Sequence, residues 1–294
     1  MQALRYARAR SVDEAIELLS NGANAYPLAG GTDLIVIARA RRRDIDLLVD
    51  LKHIPQLTEI SYSPDKGLSI GAATPCYQIY GNADVRKNYP AIVDSASLIG
   101  GTGIQGRASL GGNLCNSSPS ADSIPTQIVL EAEVHIAGPK GWRAVPVENF
   151  CTAPGRNVLE KGEFVVALKF PPPEPRSGAR FLRFIPRNEM DIAVVNTASH
   201  IKFDGDVVRW ARVSLGAVAP TPLLVEGAAQ ALVGKPLTDA TIEAAAEAAR
   251  DTARPIDDMR GSIKQRKHLC AVLTRRTLQQ AAARARGETV EGIH

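Results

Sequence analysis

The chain has 294 residues, of which 45% are hydrophobic and 22% charged, and 35 Lys and Arg against 31 Asp and Glu leave a formal net charge of +4. That composition excludes a disordered, fibrous or disulfide-scaffold chain, and the length exceeds what one core usually serves, so two or three subdomains are expected. No stretch approaches about 18 consecutive apolar residues and the opening "MQALRYARARSVDEA" lacks an apolar leader core, so no membrane insertion is expected and the location reads as cytoplasmic.

In chain order, "SVDEAIELL" opens on Ser11 with Glu14 three residues on, the spacing of a capping box, and Ile16, Leu18 and Leu19 supply a buried side. "AYPLAGGTDLIVIA", residues 25–38, runs from a short apolar strand through a glycine pair into a second helix, with Thr32 as candidate N-cap. "DIDLLVDL" then reads as a buried strand around Leu47 to Val49. The order helix, strand, glycine loop, helix, strand presents free backbone N–H groups to an anion.

From "GLSIGAATP" to "EFVVALKFPP" several strands and two helical stretches are expected, with a hairpin turning at Pro139-Lys140-Gly141. "FPPPEPRSG" is a stiff, extended linker. Beyond it "GARFLRFIP", "IAVVNTASHIKF" and "VVRWARVSLGAV" read as antiparallel strands, with Asp204-Gly205 turning the second into the third. "TIEAAAEAAR" and "SIKQRKHLCAVLTRRTLQQAAARA" have helical composition. Three parts follow: 1–55, an α/β unit; 56–173, a second α+β unit; and 177–288, a C-terminal α+β unit.

A second glycine pair stands in "SLGGNLCNSSPSAD", residues 109–122, between Ser109 and Asn113. Alone, either glycine pair is a tight turn. Two such loops, each with a hydroxyl and an Asp beside it, suit a long diphosphate ligand, which needs several N–H donors and little steric bulk. The first loop has neither the GxGxxG of a dinucleotide fold nor the GK[ST] of a Walker loop, so those folds are not expected. Asp33 and Asp122 repel phosphate; they read either as acceptors for ribityl hydroxyls and braces of their loops, or as a first-turn helix carboxylate and a helix N-cap respectively. Cys76, Cys115, Cys151 and Cys270 show no CxxC, and His53, His135, His200 and His268 no ligand spacing, so this chain is expected to hold no metal. The basic run "RARRRD" lacks the aromatic interleaving of a nucleic-acid site and reads as a solvated face or a partner contact.

Taken together, "PLAGGTDL" and "RASLGGNLCNSSPSAD" resemble the two flavin-binding signatures of the FAD-binding medium subunit of molybdenum hydroxylases, the family of xanthine and carbon monoxide dehydrogenases. "MDIAVVNTASHIKFDGDVVRWARVSLGAVAPTPL" and "ARPIDDMRGSIKQRKHLCAVLTRR" are similar to that family's C-terminal domain, so the resemblance spans almost the whole chain. It implies an α+β fold: a two-subdomain, PCMH-like FAD-binding module followed by a C-terminal antiparallel sheet with a helical bundle. It places Leu28, Ala29, Gly30, Gly31, Thr32, Asp33 and Leu34 at the FAD diphosphate. Ser109, Gly111, Gly112 and Asn113 would form a second wall, with Asp122 near the ribityl and flavin region and Val165 against the flavin. The implied function is electron transfer without a catalytic side chain. FAD on this chain takes electrons from [2Fe-2S] clusters of a small subunit, a large subunit carries a molybdopterin-type molybdenum cofactor, and the assembly is a dimer of heterotrimers. Two other readings are a self-contained flavin oxidoreductase and a scaffold subunit that has lost its flavin.

Overall fold

In the computed structural model, residues 4–187 and 189–290 are described. The first unit contains β1 (Arg5–Arg8), α1 (Val12–Asn21), β2 (Ala25–Leu28), α2 (Leu34–Arg39) and β3 (Leu47–Asp50). Its sheet has the order β1-β3-β2 with both pairings parallel. Strand β1 has no signature in the sequence, because "RYAR" places an arginine at each end and shows no apolar alternation. Ser11 caps α1, its Oγ accepting from Glu14 N at 3.1 Å, while Glu14 Oε2 reaches back to Arg10 N at 2.7 Å, one residue before the expected partner. Val12, Ala15 and Leu19 are the buried residues of α1, and Ile16 and Leu18 pack at the margin of the same core.

The second unit runs β4 (Ile60–Ser63), β5 (Gly67–Gly71), α3 (Cys76–Gly81), α4 (Ala83–Asn88), α5 (Pro90–Ala96), α6 (Thr102–Gln105), α7 (Leu110–Asn116), α8 (Ile124–Val129), β6 (Glu133–Gly138), β7 (Gly141–Pro146), β8 (Cys151–Ala153), β9 (Arg156–Asn157) and β10 (Phe164–Phe170). Where two helical stretches were expected, α3 to α8 form a run of short helices. Their breaks are local: Asn82 caps α4 through its side chain, Pro90 starts α5, and Ser117 ends α7 in the left-handed region at φ 49°. The main sheet is antiparallel, order β4-β5-β10-β6-β7, and the expected hairpin closes where Gly138 pairs Gly141, the latter at φ +101°.

Central strand β10 decides how these two units meet. Phe164 and Val166 point into the core of the first unit, whereas Val165, Leu168 and Phe170 enter the core of the second. Burial on both faces explains the apolar run "FVVAL", after which Lys169 is exposed, and each large buried side chain contributes about 1.5–3 kcal/mol.

The C-terminal unit is a sheet β11 (Ser177–Phe184), β12 (Val195–Asp204), β13 (Val207–Gly216) and β14 (Leu223–Leu224), antiparallel throughout, followed by α9 (Glu226–Leu232), α10 (Asp239–Thr252) and α11 (Ile263–Ala285). The turn after Asp204 forms as expected, with Gly205 at φ +56°. Helix α11 covers β11 and β12, and α5 and α8 of the second unit pack against the same sheet. Ala179, Phe181 and Ala198 accordingly belong to the second unit's core. No helix among the described residues is long and apolar enough to cross a membrane.

A buried carboxylate seals this junction. Asp94 on α5 accepts from Arg180 Nη1 at 2.7 Å, from Arg284 at 2.7 and 2.9 Å, and from Phe181 N at 3.3 Å. Removing one partner of a buried charge cluster leaves the others uncompensated, at about 3–5 kcal/mol. Asp94→Asn is therefore expected to lower unfolding stability in urea by that amount, whereas Glu243→Gln, which breaks the exposed pair with Arg275, should cost less than about 1 kcal/mol. Equal losses in the two variants would contradict the assignment of Asp94 as the inter-unit tie.

Candidate functional site

The loop between β2 and α2 faces the N-terminal turn of α7, and a cavity of about 640 Å3 opens between them. That volume lies within the roughly 300–1,000 Å3 of ligand and cofactor pockets. Leu28, Ala29, Gly30, Gly31, Thr32, Asp33 and Leu34 line one side; Ser109, Gly111, Gly112 and Asn113 line the other; Val165 of β10 also borders it. Segments about 80 residues apart in sequence are thus brought to one site, and neither could form it alone.

The glycines divide the work. A Cβ on Gly30 would lie 1.8 Å from the Arg107 carbonyl oxygen, so this residue is glycine because the two walls touch there. Gly31 has φ +75°, a conformation that favours glycine. A Cβ on Gly111 would come within 2.5 Å of the Ala72 oxygen, which seats α7 on the end of β5. Gly112 is different: outside its own helix backbone, a Cβ there would meet Ser109 Oγ at 3.1 Å and nothing else within 4 Å. A larger side chain at 112 would enter the cavity.

Backbone donors complete the match to a diphosphate. Among the described residues, the amides of Gly30, Gly31, Thr32 and Asp33, and that of Gly111, have no hydrogen-bond partner, whereas Leu110 is engaged in the bridge between Pro75 and Ser109. Unpaired donors along glycine walls fit an anion that supplies acceptors. Ser109 is the N-cap of α7 and its Oγ accepts from Gly112 N at 3.1 Å. Thr32, expected as the cap of α2, does not serve so: the helix begins one residue later, with Asp33 in the cap position and no side-chain bond. At the cavity wall, partial desolvation of the Asp33 carboxyl raises it above its ordinary value.

Asp122 does not line the cavity. It lies between α7 and α8, buried, accepting from Arg183 Nη1 at 2.6 Å and from Asn196 Nδ2 at 3.3 Å, both on the C-terminal sheet. Burial pushes its carboxyl up to about 6, against the lowering by Arg183 and Asn196. The cap of α8 is Ser123, so Asp122 is not the helix cap that its sequence position suggested. Asn113 is held from the same segment, its Oδ1 accepting from Ser123 Oγ at 2.6 Å.

Several lining residues escaped the sequence reading. Arg43, from the basic run, turns to the cavity with its guanidinium 5.3 Å from the Tyr26 ring. Lys161 also borders the cavity, preceding Gly162 in the loop before β10. Asn157 stitches that loop to the second wall, donating to the Cys115 carbonyl at 3.0 Å and accepting from Leu159 N at 3.1 Å. No motif announces these residues; they come from a less patterned part of the chain. Burial pushes the thiols of Cys76, Cys115 and Cys270 up to about 12, the behaviour of unreactive cysteines. No group of three or more His, Cys, Asp or Glu among the described residues could hold a metal ion.

Comparison with known proteins points the same way. Residues 2–173 match the family described as "FAD binding domain in molybdopterin dehydrogenase", and residues 180–281 match "CO dehydrogenase flavoprotein C-terminal domain". The chain is 34% identical over 284 residues to the xanthine dehydrogenase FAD-binding subunit of Escherichia coli O157:H7, covering 96% of this chain and 97% of that one. It is 30% identical to the carbon monoxide dehydrogenase medium chain of Hydrogenophaga pseudoflava, covering 95% and 97%. A solved structure of carbon monoxide dehydrogenase from that organism superposes with a TM-score of 0.91 at 30% identity, over 96% of this chain and 98% of the other. Quinoline 2-oxidoreductase from Pseudomonas putida 86 gives 0.90 at 29% identity, over the same shares. The chain therefore belongs to the family of FAD-binding domains in molybdopterin dehydrogenases, and is an FAD-binding subunit of an oxidoreductase of that family.

Proposed function

We propose that this chain is the electron-transfer subunit of a heterotrimeric molybdenum hydroxylase, holding FAD without covalent attachment between its two glycine walls. It would receive electrons from [2Fe-2S] clusters of a small subunit and deliver them to an external acceptor, while a large subunit with a molybdopterin-type cofactor oxidises substrate. The further assembly is a dimer of heterotrimers in the cytoplasm. The observation that carries the reading is the cavity at which two glycine segments, one following β2 and one opening α7, converge with unpaired amides. In this reading the chain divides into 1–55, 56–173 and 177–288, a division supported by the principal sheet in each part, with the first two sharing the cavity and the third bracing the segment that ends at Asp122.

When bound, FAD supplies the redox chemistry through its isoalloxazine, so the protein's contribution is position, electrostatics and exclusion of water. In this reading the amides of Gly30 to Asp33 and of Gly111 would hold the diphosphate, and Arg43 and Lys161 would offset its charge. Asn113, fixed by Ser123, would form part of the same wall. Val165 provides apolar contact from β10. Asp122, paired with Arg183, holds the second wall on the C-terminal unit.

Because Gly112 opens on the cavity while Gly30 packs on backbone, the two should fail differently. Gly112→Leu is expected to purify without flavin and to unfold within about 4 °C of the flavin-free parent, a shift of no more than about 1–2 kcal/mol. Gly30→Val must displace the Arg107 backbone and should lower the midpoint well beyond that. Flavin absorbance per chain and a thermal scan check both, and full flavin content in Gly112→Leu would refute the site.

In an assembled complex carrying Gly112→Leu, substrate should still reduce the iron–sulfur clusters, while reduction of the external acceptor should fall to background. Stopped-flow bleaching of the clusters and steady-state acceptor assays separate the two steps. Acceptor turnover at the parent rate in a complex shown to lack FAD would overturn the electron-transfer role.

A further inference from the structure

Lys52, just beyond β3, does not line the cavity, yet its ammonium reaches the start of the first glycine loop. Nζ donates to the Ala29 carbonyl at 2.8 Å and to Asp50 Oδ1 at 2.6 Å. Asp50 is only 4% exposed; its Oδ1 also accepts from Lys52 N at 3.0 Å and its Oδ2 from the Tyr6 hydroxyl at 2.6 Å. Burial raises this carboxyl, but the hydrogen bonds from Lys52 and Tyr6 outweigh it and hold it below its ordinary value. A continuous chain of polar contacts therefore runs from β1 through the end of β3 to the residue following β2.

Its target is the peptide most in need of a tether. Gly30 and Gly31 are conformationally permissive, so the Ala29–Gly30 peptide plane has little intrinsic reason to keep one orientation. That peptide is trans, as are all those described, so its carbonyl and N–H point in opposite directions. Fixing the carbonyl on Lys52 aims the Gly30 N–H away from Lys52. The neighbouring amides through Asp33 follow from that orientation, and they are the donors without protein partners.

We infer that Tyr6, Asp50 and Lys52 form a positioning chain that holds the 29–33 loop in its binding conformation, so that the diphosphate of FAD meets amides already oriented. The inference rests on the reading of the cavity as the FAD site. Lys52 is a positioning residue: it acts on the cofactor through the Ala29–Gly30 peptide, and its removal leaves the loop free to sample other orientations before binding. An ordering cost then falls on the binding step.

The test is FAD affinity of the full chain, stripped of flavin and titrated by flavin fluorescence, beside the thermal midpoint of the flavin-free protein. Lys52→Met should weaken FAD binding roughly tenfold or more, the scale of one charge-assisted hydrogen bond, with the flavin-free midpoint within about 4 °C of the parent. Lys52→Arg, which can still donate to both oxygens, should return the dissociation constant to within about threefold of the parent. Tyr6→Phe, which loosens Asp50 and leaves Lys52 in place, should weaken binding about threefold. Parent affinity in Lys52→Met overturns the inference; should that variant fail to fold, parent affinity in Tyr6→Phe overturns it. Gly112→Leu in the same titration keeps the two ideas apart. Its loss of FAD beside normal binding by Lys52→Met sinks the positioning chain alone, whereas its retention of FAD sinks the site.

Discussion

Everything at the site depends on a contact with no room for a methyl group: the Gly30 backbone resting on the Arg107 carbonyl. The first wall belongs to a parallel sheet and the second to a helix on the end of an antiparallel one, so only their close approach converts two loops into a cavity. Bulk at Gly30 would part the walls. Bulk at Gly111 would lift α7 off Ala72 with the same consequence. Strand β10 supports the arrangement by sending side chains into the cores of both units, the irregularity between Val165 and Ala167 switching which face serves which core.

The C-terminal unit takes part chiefly through β11, with Asn196 of β12 and Arg284 of α11 reaching the two carboxylates that β11 engages. Arg180 and Arg183, both on β11, engage Asp94 on α5 and Asp122 at the entry to α8. Asp122 closes the segment that carries the second wall, so the sheet that lines none of the cavity still secures one end of it. Buried carboxylates met by arginines are costly to assemble and costlier to break in half, which makes them effective joints between units.

Much of the molecule was legible in the chain. The Ser11 cap, the hairpin at Pro139-Lys140-Gly141 and the turn after Asp204 depend on residues within a few positions of each other, and local chemistry is what sequence displays. The two glycine segments were legible for the same reason, and the resemblance they carried led to the family. What escaped depends on distant partners. Strand β1 exists because β3 pairs with it, not because "RYAR" prefers to be extended. Asp122 reads from the sequence as an acceptor for ribityl hydroxyls and a loop brace, or as a helix N-cap, and its partner is hidden because Arg183 stands 61 residues further on. Arg43 looked like one charge in a solvated run until Tyr26 and the cavity wall received it. The reason for Gly30 was also hidden: ligand approach and wall contact demand the same residue, and only the geometry separates them.

The most direct measurement is amide hydrogen exchange of the flavin-free chain with and without FAD. Simultaneous protection of the amides of Gly30 to Asp33 and of Gly111 is the predicted result, because these donors lack protein partners and would gain acceptors from one diphosphate. Tight FAD binding that leaves both sets of amides exchanging at their flavin-free rates would contradict the site described here.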